Sequence, residues 1–319
     1  MKVLITGVAG FIGSNVARVL LDQGMEVIGI DCFTDYYSRV LKEDHLAAIR
    51  NHERFTFHET ELLDFDFRSA LSAGDAIVHE AAQPGVRASW GTEFEIYTTN
   101  NVLATQRILE QVKEIGLKRF VYAGSSSVFG DVDSFPMTET DTPKPVSPYG
   151  VTKLAAEHLC LLYHRNFGVP TVSVRYFTVY GPGQRPDMAF HRFCRAILTG
   201  GKIPVYGNGK QTRDFTYIDD IVAGTIAAIN GDCSGEVINL GGGARISLYE
   251  CIEIIEKCAG KKADIDWSGF QKGDVRHTAA DISKAQRLLG YAPKVPVAEG
   301  LARELEWMKT LLERNIVSE

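Results

Sequence analysis

Two side chains four residues apart, Tyr149 and Lys153 in the segment SPYGVTKLAAEHL, could carry out proton transfer. On a helix this spacing puts both side chains on one face. A lysine ammonium near a phenol stabilises the phenolate, so we expect Lys153 to lower the Tyr149 pKa from about 10 towards the range of a general base. Tyrosine and lysine at this spacing are also common on solvated helix surfaces, so the pair needs support from its surroundings.

Three consecutive serines could supply a hydroxyl that orients a substrate alcohol. Ser125, Ser126 and Ser127 follow the apolar run at 118–124, which has the pattern of a buried strand. Open α/β sheets bind ligands at the carboxyl ends of their strands. The alternative for one or two of the three is a serine-rich turn that caps the strand.

A glycine-rich segment indicates a site for a dinucleotide. Gly7, Gly10 and Gly13 lie between an apolar run and an amphipathic stretch, where small residues let backbone N–H groups face a pyrophosphate. The G-x-x-G-x-x-G spacing differs from the G-x-G-x-x-G fingerprint, and a tight turn with close helix–strand packing is the alternative. Asp31, about 20 residues further on, could accept hydrogen bonds from the adenosine ribose.

The acidic residue after the second strand favours one form of the cofactor. The charge of Asp31 would repel a 2′-phosphate, so we expect NAD rather than NADP. Arg39 and Lys42 lie nearby in the sequence and keep NADP open as an alternative.

The elements that must position these residues alternate along the chain. KVLIT, EVIGID and the runs at 76–82, 118–124 and 171–177 are strand-like and are separated by helical patterns. This predicts an α/β fold with a doubly wound, parallel Rossmann sheet and a smaller C-terminal substrate lobe. We expect residues 1–178 to form the nucleotide-binding domain, with 214–241 returning to it, and 179–213 with 242–319 to form the lobe.

Composition excludes several classes of function. The net charge of -6 and the scattered basic residues give no surface for nucleic acid. No apolar run approaches the roughly 20 residues of a membrane span, so we expect no membrane partner. Six cysteines without a C-x-x-C pair are expected to be reduced, and a chain that opens on MKVLITG is expected to be cytoplasmic without a signal peptide. We expect no metal ion.

Together these segments resemble the extended short-chain dehydrogenase/reductase superfamily, and within it the nucleotide-sugar 4-epimerases. Five motifs place the similarity in the uronate-specific group: IDCFTDYYSRVLK, HEAAQPGVRASW, SPYGVTK, RYFTVYGPGQRPDMA and TRDFTYIDD. The resemblance covers nearly the whole chain. It implies that Tyr149 removes the sugar O4 proton while hydride passes from C4 to tightly bound NAD, and that hydride returns to the opposite face.

The resemblance also implies roles for single positions. Ser125 would act with Tyr149 on the 4-hydroxyl, Lys153 would hold the nicotinamide ribose, and Ser126 and Ser127 would line the sugar pocket. The remaining cofactor-binding positions would be Gly7, Gly10, Phe11, Ile12, Gly13, Asp31, Glu61, Leu62, Ala81, Ala82, Gln83, Asn101 and Tyr176. The remaining substrate-binding positions would be Arg87, Thr178, Arg185, Val205, Tyr206, Arg213, Asp274 and Arg276.

Arg185 carries the substrate assignment within this group. Epimerases of neutral hexoses usually show RYFNVxG, whereas this chain has Thr178 at the asparagine position and then GPGQRPDMA. The resemblance implies that Arg185 pairs with the C6 carboxylate of a uronate through its planar guanidinium. The alternative is that Arg185 caps the turn before a helix that Asp187 begins.

Chemistry supplies a reason for such a contact. Oxidation at C4 of a hexuronate creates a β-keto acid, which loses carbon dioxide when the C5–C6 bond stands perpendicular to the ketone plane. An arginine that holds the carboxylate elsewhere would preserve the carbon. Related decarboxylases and dehydratases carry acids at the positions of Ser127 and Ser126, and this chain lacks them.

Two other functions stay open at this point. A 4-epimerase of UDP-glucose or a UDP-N-acetylhexosamine would share the catalytic residues and differ around C6 and C2. A catalytically silent NAD-binding sensor would be expected to lose Tyr149 or Lys153, which are both present. Relatives pair two helices, including the one that bears Tyr149, so the resemblance also implies a homodimer.

Overall fold

The computed structural model of the chain describes residues 1–132, 134–243, 245–269, 273 and 275–317. Its largest element is a sheet of parallel strands with helices on both faces. The strands are β1 Lys2–Thr6, β2 Glu26–Asp31, β3 Phe55–Glu59, β4 Ala76–His79, β5 Arg119–Ser125, β6 Thr171–Tyr176, β7 Thr178–Tyr180, β8 Lys202–Tyr206, β9 Thr212–Tyr217, β10 Glu236–Leu240, β11 Arg245–Ser247 and β12 Asp264–Ser268.

Helices connect the strands and cover the sheet. They are α1 Phe11–Asp22, α2 Arg39–Ala47, α3 Phe67–Ala70, α4 Phe94–Tyr97, α5 Ala104–Val112, α6 Pro148–Phe167, α7 Ala189–Thr199, α8 Ile218–Asn230, α9 Leu248–Ala259, α10 Ser283–Leu289 and α11 Val297–Glu313. A π-helical segment, Thr98–Leu103, joins α4 to α5. Within the described ranges, no helix has the length and apolarity that a membrane crossing requires.

The seven-stranded sheet has the order β10-β6-β5-β4-β1-β2-β3. All its neighbouring strands pair in parallel, as the alternation of strand and helix patterns predicted. Strands β4, β5 and β6 are buried along their whole length, which explains their continuous apolar runs. The strand order reverses between β1 and β4, and a crevice at such a point is where this kind of sheet binds dinucleotides.

One strand of this sheet was not predicted. Strand β3 forms the edge of the sheet beside β2, and Phe55 is its one buried residue. Its sequence, FTFHE, is short and mostly polar on the exposed side, so its pattern does not stand out from a loop.

Two small sheets lie beyond β6. Strand β9 pairs with β7 in parallel and with β11 antiparallel, and β8 pairs with β12 in parallel. Strand β10 returns to the main sheet beside β6, after α8, which packs against α1. One hydrophobic core runs from the main sheet at Val3 to α9 and α11, so the parts that surround the small sheets pack continuously on the main sheet.

Candidate active site

The three predicted catalytic residues come from two adjacent elements. Ser125 is the last residue of β5, and Tyr149 and Lys153 lie in the first two turns of α6. Helix α6 begins where it does because the Ser147 hydroxyl accepts a 3.1 Å hydrogen bond from the Gly150 N–H, and Pro148 occupies its first turn. The Ser125 hydroxyl lies close enough to the Tyr149 phenol to lower the pKa of the phenol.

The protonation of this group differs from the expectation in one respect. Burial raises the pKa of Tyr149, while the hydrogen bond from Ser125 and the positive charge of Arg185 lower it. The net direction is upward, whereas the sequence analysis expected a pKa below about 10, and the effect of Lys153 on the phenol stays a prediction. The Lys153 ammonium lies over the Tyr122 ring, 4.6 Å from its centre, and burial lowers its pKa to about 8.

Glu80 is a titratable residue of this site that the sequence analysis did not single out. It follows β4 directly, and its carboxylate accepts a 2.7 Å hydrogen bond from the Tyr176 hydroxyl. Burial raises the pKa of Glu80 to about 7, against the hydrogen bond from Tyr176 and the charge of Lys153. An acidic residue at the carboxyl end of a buried strand was the available signal, because ligands of parallel sheets bind at that edge.

A cavity of about 990 Å³ lies along the amino-terminal end of α1. Gly10 precedes α1 without a side-chain cap, so the first N–H groups of the helix are not covered by a side chain. Gly7 has φ +70°, and a Cβ at this residue would lie 2.8 Å from Cα of Ala81. The lining residues include Gly7, Gly10, Phe11, Ile12, Gly13, Asp31, Glu61, Leu62, Ala81, Ala82 and Arg185.

The acidic end of this cavity favours an unphosphorylated ribose. The Asp31 carboxylate accepts hydrogen bonds from the N–H groups of Ala9, at 3.0 Å, and Phe33, at 2.9 Å, which join the glycine turn to the end of β2. Burial raises the pKa of Asp31, and these hydrogen bonds and Lys42 oppose the rise. Arg39 is paired with Glu59 at the surface, at 2.7 and 2.8 Å.

The second basic residue near Asp31 is also occupied. The Lys42 ammonium donates to the Thr34 carbonyl at 2.6 Å. Both basic side chains that kept NADP open as an alternative therefore already make contacts within the protein. Taken with the uncapped amino terminus of α1, the residues present fit NAD, with its pyrophosphate at α1 and its adenosine ribose at Asp31.

Two predicted cofactor-binding residues, Gln83 and Asn101, form part of the wall of the site. The Asn101 side chain accepts a 2.6 Å hydrogen bond from the Gln83 N–H and donates to the Gln83 carbonyl at 3.1 Å and to Thr152 of α6 at 3.0 Å. It thus fastens the segment after β4 to the helix that carries Tyr149. Its neighbour Asn100 lines the cavity.

A second cavity, of about 1110 Å³, lies on the side of the small sheets. Of the predicted substrate positions, Arg87, Thr178, Tyr206 and Arg213 line it, and the Arg87 guanidinium lies 4.0 Å from the centre of the Tyr206 ring. Arg213 donates to the carbonyls of Thr212 and Arg276, both at 3.0 Å. These four predicted substrate-binding residues come from separate segments of the chain and together line the second cavity.

Other predicted substrate positions lie elsewhere. The Val205 side chain is fully buried in the core, and Arg276 is exposed and does not line the second cavity. Ser126 and Ser127 are half-buried in the turn that follows β5, where the Ser127 N–H donates to the Ser125 hydroxyl at 3.1 Å. Asp274 lies outside the described residues.

Arg185 lies where the two cavities meet. Its guanidinium forms two hydrogen bonds of 3.0 Å with the Asp187 carboxylate, one from Nε and one from Nη2. Arg185 lines the first cavity and Asp187 lines the second. Helix α7 begins at Ala189 after the N-cap residue Met188, two residues later than Asp187. The Arg185 carbonyl accepts a 3.1 Å hydrogen bond from the Met188 N–H, so the alternative that Arg185 caps the turn before the helix stays open.

Ser125, Tyr149 and Lys153 do not line either cavity, but neighbours of Tyr149 connect it to both. Glu80 and Arg185, which line the first, act electrostatically on Tyr149. The centre of the Tyr97 ring lies 6.3 Å from the centre of the Tyr149 ring. The Tyr97 hydroxyl donates a 2.9 Å hydrogen bond to the carbonyl of Gly85, which lines the second cavity. A redox cofactor bound in the first cavity and a substrate bound in the second would therefore both lie near the Tyr149 phenol, which Ser125 contacts.

Comparisons with known proteins agree with this geometry. A family model described as GDP-mannose 4,6 dehydratase matches residues 4–304. The crystal structure of UDP-glucuronic acid 4-epimerase from Bacillus cereus in complex with UDP-glucuronic acid and NAD superposes with a TM-score of 0.95, at 45% sequence identity, over 98% of this chain and 100% of that one.

Two curated relatives are similar over nearly their full lengths. UDP-glucuronate 4-epimerase of Thermodesulfobacterium geofontis is 41% identical over 314 residues, which cover 97% of this chain and 97% of the relative. The uncharacterized UDP-glucose epimerase YtcB of Bacillus subtilis is 44% identical over 315 residues, which cover 98% of this chain and 99% of the relative.

Proposed function

This chain belongs to the GDP-mannose 4,6-dehydratase family, within the extended short-chain dehydrogenases/reductases, and we propose that it is a NAD-dependent 4-epimerase of a UDP-hexuronic acid. It converts UDP-glucuronate to UDP-galacturonate through a transient 4-keto sugar without loss of the C6 carboxylate. The observation that carries this function is the position of Arg185, a guanidinium close enough to Tyr149 for its charge to lower the pKa of the phenol. The B. cereus enzyme with UDP-glucuronic acid and NAD bound supports the same substrate and cofactor.

The reaction needs a proton acceptor, a cofactor that accepts hydride, and a site in which the 4-keto sugar can rotate to present its opposite face to the cofactor. Tyr149 accepts the O4 proton, and Ser125 orients the hydroxyl and the phenol through its hydrogen bond. Bound NAD takes hydride from C4 and returns it to the opposite face, so the cofactor is unchanged after each turnover. Lys153 holds the nicotinamide ribose, and Tyr149 returns the proton to O4.

The nucleotide diphosphate provides the fixed part of substrate binding. The sugar must expose either face of C4 to the cofactor, so binding energy has to come from groups that do not turn. Arg213 binds the diphosphate and Tyr206 lies against the uracil, with Arg87 behind the Tyr206 ring.

The C6 carboxylate distinguishes the uronate from neutral hexoses. Arg185, which lines the first cavity, binds it, Thr178 lines the second cavity, and Ser126 and Ser127 bind sugar hydroxyls. Because serines stand where dehydratases carry acids, the chain has no group at those positions to remove the C5 proton. The 4-keto uronate therefore rotates within the site and is reduced at C4.

UDP-glucose is the alternative substrate, as the name of the B. subtilis relative suggests. A neutral hexose would leave the guanidinium of Arg185 without the carboxylate that matches its planar geometry. A non-catalytic NAD sensor is a remote alternative, since Ser125, Tyr149 and Lys153 are assembled as an acid–base group.

The quaternary structure and location belong to the same proposal. Two copies pair through α6 and the segment from α4 to α5, because these helices expose Val151, Leu162, Ile96 and Leu103. The protein works in the cytoplasm, with no nucleic acid or membrane partner. Six free cysteines agree with a reducing compartment.

We also propose which parts of the chain bind the cofactor and which bind the substrate. Residues 1–178 with 214–241 bind NAD, and 179–213 with 242–319 bind the UDP-sugar. Strand β10 in the main sheet and the second cavity beside β8 and β9 support this division.

One incubation tests the function. The purified protein is mixed, without added NAD, with UDP-glucuronate or with UDP-glucose, and the anomeric protons are followed by NMR. We expect conversion of the uronate to UDP-galacturonate and no turnover of UDP-glucose. Turnover of UDP-glucose with none of the uronate would make Arg185 a structural residue and overturn the substrate assignment.

A further inference from the structure

The contact between Arg185 and Asp187 uses one edge of the guanidinium and leaves the other edge open. Nε and Nη2 each donate to a separate oxygen of Asp187 at 3.0 Å. A guanidinium has five N–H donors and can present a second pair from Nη1 and Nη2. Among the described residues, no acceptor contacts Nη1 of Arg185. The open edge can therefore bind a second carboxylate while Asp187 stays in place.

Asp187 is itself held by a residue from another part of the chain. The Tyr36 hydroxyl donates a 3.3 Å hydrogen bond to Oδ2 of Asp187, and the Arg185 guanidinium lies 5.9 Å from the centre of the Tyr36 ring. Tyr36 belongs to the segment between β2 and α2 and lines the second cavity. The two segments together fix the position and the plane of the guanidinium.

The contact between Arg185 and Asp187 is only partly shielded from solvent. The Arg185 side chain is 22% exposed and that of Asp187 is 37% exposed. Burial lowers the pKa of Arg185, but the charge and hydrogen bonds of Asp187 more than offset this and hold it above its usual value. The guanidinium is thus fully charged, and its two hydrogen bonds with Asp187 set its direction.

We propose that Asp187 is a positioning residue that orients the open edge of Arg185 toward the C6 carboxylate of the substrate. This inference rests on the proposed function. Asp187 then controls both the affinity for the uronate and the fate of its carboxylate. It acts through Arg185 and does not touch the reacting atoms.

The fate of the carboxylate follows from the geometry of the 4-keto intermediate. If the carboxylate rotates out of the ketone plane, the C5–C6 bond breaks, carbon dioxide leaves, and the bond pair moves into the C4 carbonyl to form an enolate. The enolate takes a proton from water at C5 and becomes a UDP-4-keto-pentose. The two electrons removed from C4 stay on the bound cofactor, which is then left reduced.

The test is Asp187→Asn, which keeps the size of the side chain but can accept from only one of the two N–H donors. We expect the KM for UDP-glucuronate to rise about tenfold or more, as loss of a charge-assisted hydrogen bond would cause. We also expect a UDP-4-keto-pentose in the NMR spectrum and an absorbance from reduced nicotinamide that grows to one equivalent per site. The inhibition constant of UDP, which has no carboxylate, should stay unchanged.

Two further variants keep the test decisive. Tyr36→Phe keeps the ring and removes the hydroxyl, so it should change KM and product in the same direction by a smaller factor. Asp35→Asn removes a charge from the same segment at an exposed position and should match the wild type.

Several outcomes would overturn the inference. A lower KM in Asp187→Asn without pentose would make Asp187 a competitor of the substrate for Arg185. A parallel loss of UDP affinity would make it a general support of the fold. If the wild type turned over only UDP-glucose, the proposed function would fail first, and that result is visible before any variant is made.

Discussion

The Tyr176 hydroxyl of β6 donates a hydrogen bond of 2.7 Å to the carboxylate of Glu80, at the end of β4. The same hydroxyl lies 2.8 Å from the Thr225 hydroxyl of α8. The charged and titratable groups that face Glu80 are Lys153 and Tyr149 of α6, besides Tyr176 itself. One carboxyl group thus raises the pKa of both Tyr149 and Lys153.

Replacement of this carboxyl should move the pH dependence of the reaction. The charge of Glu80 raises the pKa of Lys153, which burial lowers to about 8, and it also raises the pKa of Tyr149. In Glu80→Gln both pKa values fall, so both limbs of the pH profile of kcat/KM should move to lower pH. A profile that stays in place or moves to higher pH would show that Glu80 does not act on the pair.

The same substitution should change stability in a pH-dependent way. Burial raises the pKa of Glu80 to about 7 from its usual 4.5, so the folded protein binds more protons than the unfolded chain between these values. Stability from this group is therefore present at low pH and is lost as pH rises through about 7. We expect Glu80→Gln to raise Tm more at about pH 8 than at about pH 5, as calorimetry would measure.

Removal of the Tyr149 hydroxyl should abolish the chemistry and spare the fold. We expect Tyr149→Phe to lower kcat by about 10²- to 10⁴-fold, the usual contribution of a general acid–base group. The NAD content and Tm should not change, because the ring remains. Tyr163→Phe, on the same helix, is the control: it loses a 2.7 Å hydrogen bond to Glu110 outside the site and should keep full activity.

Removal of one partner from the buried ion pair between Glu157 and Arg175 should strongly destabilise the protein. Their side chains are 2% and 3% exposed, and the guanidinium donates at 3.0 and 2.6 Å. Glu157→Gln leaves Arg175 buried without its counter-charge, so we expect a loss of about 3–5 kcal/mol in the free energy of unfolding. Urea denaturation would measure it.

The matched control is a pair at the surface. Arg39→Gln breaks the exposed contact with Glu59, where solvent already screens the charges, so stability should change little. Equal losses in the two variants would contradict the assignment of Glu157 and Arg175 as a dependent buried pair.

Asp31 should decide between NAD and NADP. Asp31→Asn removes the charge that repels a 2′-phosphate, so the ratio of NADP to NAD affinity should rise about tenfold or more in titration calorimetry of cofactor-free protein. Glu26→Gln, which removes a charge from the opposite end of β2, should leave the ratio unchanged. A fall in NAD affinity with no gain for NADP would mean that Asp31 serves only the N–H groups of Ala9 and Phe33.

Much of the fold followed from local patterns. The apolar runs of β1, β2, β4, β5 and β6 are continuous because these strands are buried on both faces, and such runs are readable in a sequence. Strand β3 was missed because an edge strand needs few apolar residues. The return of β10 to the sheet could be predicted because a helix pattern and a buried strand follow each other there.

The sequence by itself determined which side chains were present for catalysis: Tyr149 and Lys153 one helical turn apart, Ser125 at a strand end, and a glycine-rich turn followed by Asp31. Spacing in regular elements fixes such neighbours. It could not determine which charges act on one another, since Glu80, Arg185 and Tyr149 lie far apart in the chain and meet only through packing. Burial and long-range contacts set their pKa values, and only the tertiary structure showed that Asp187 and Tyr36 hold Arg185.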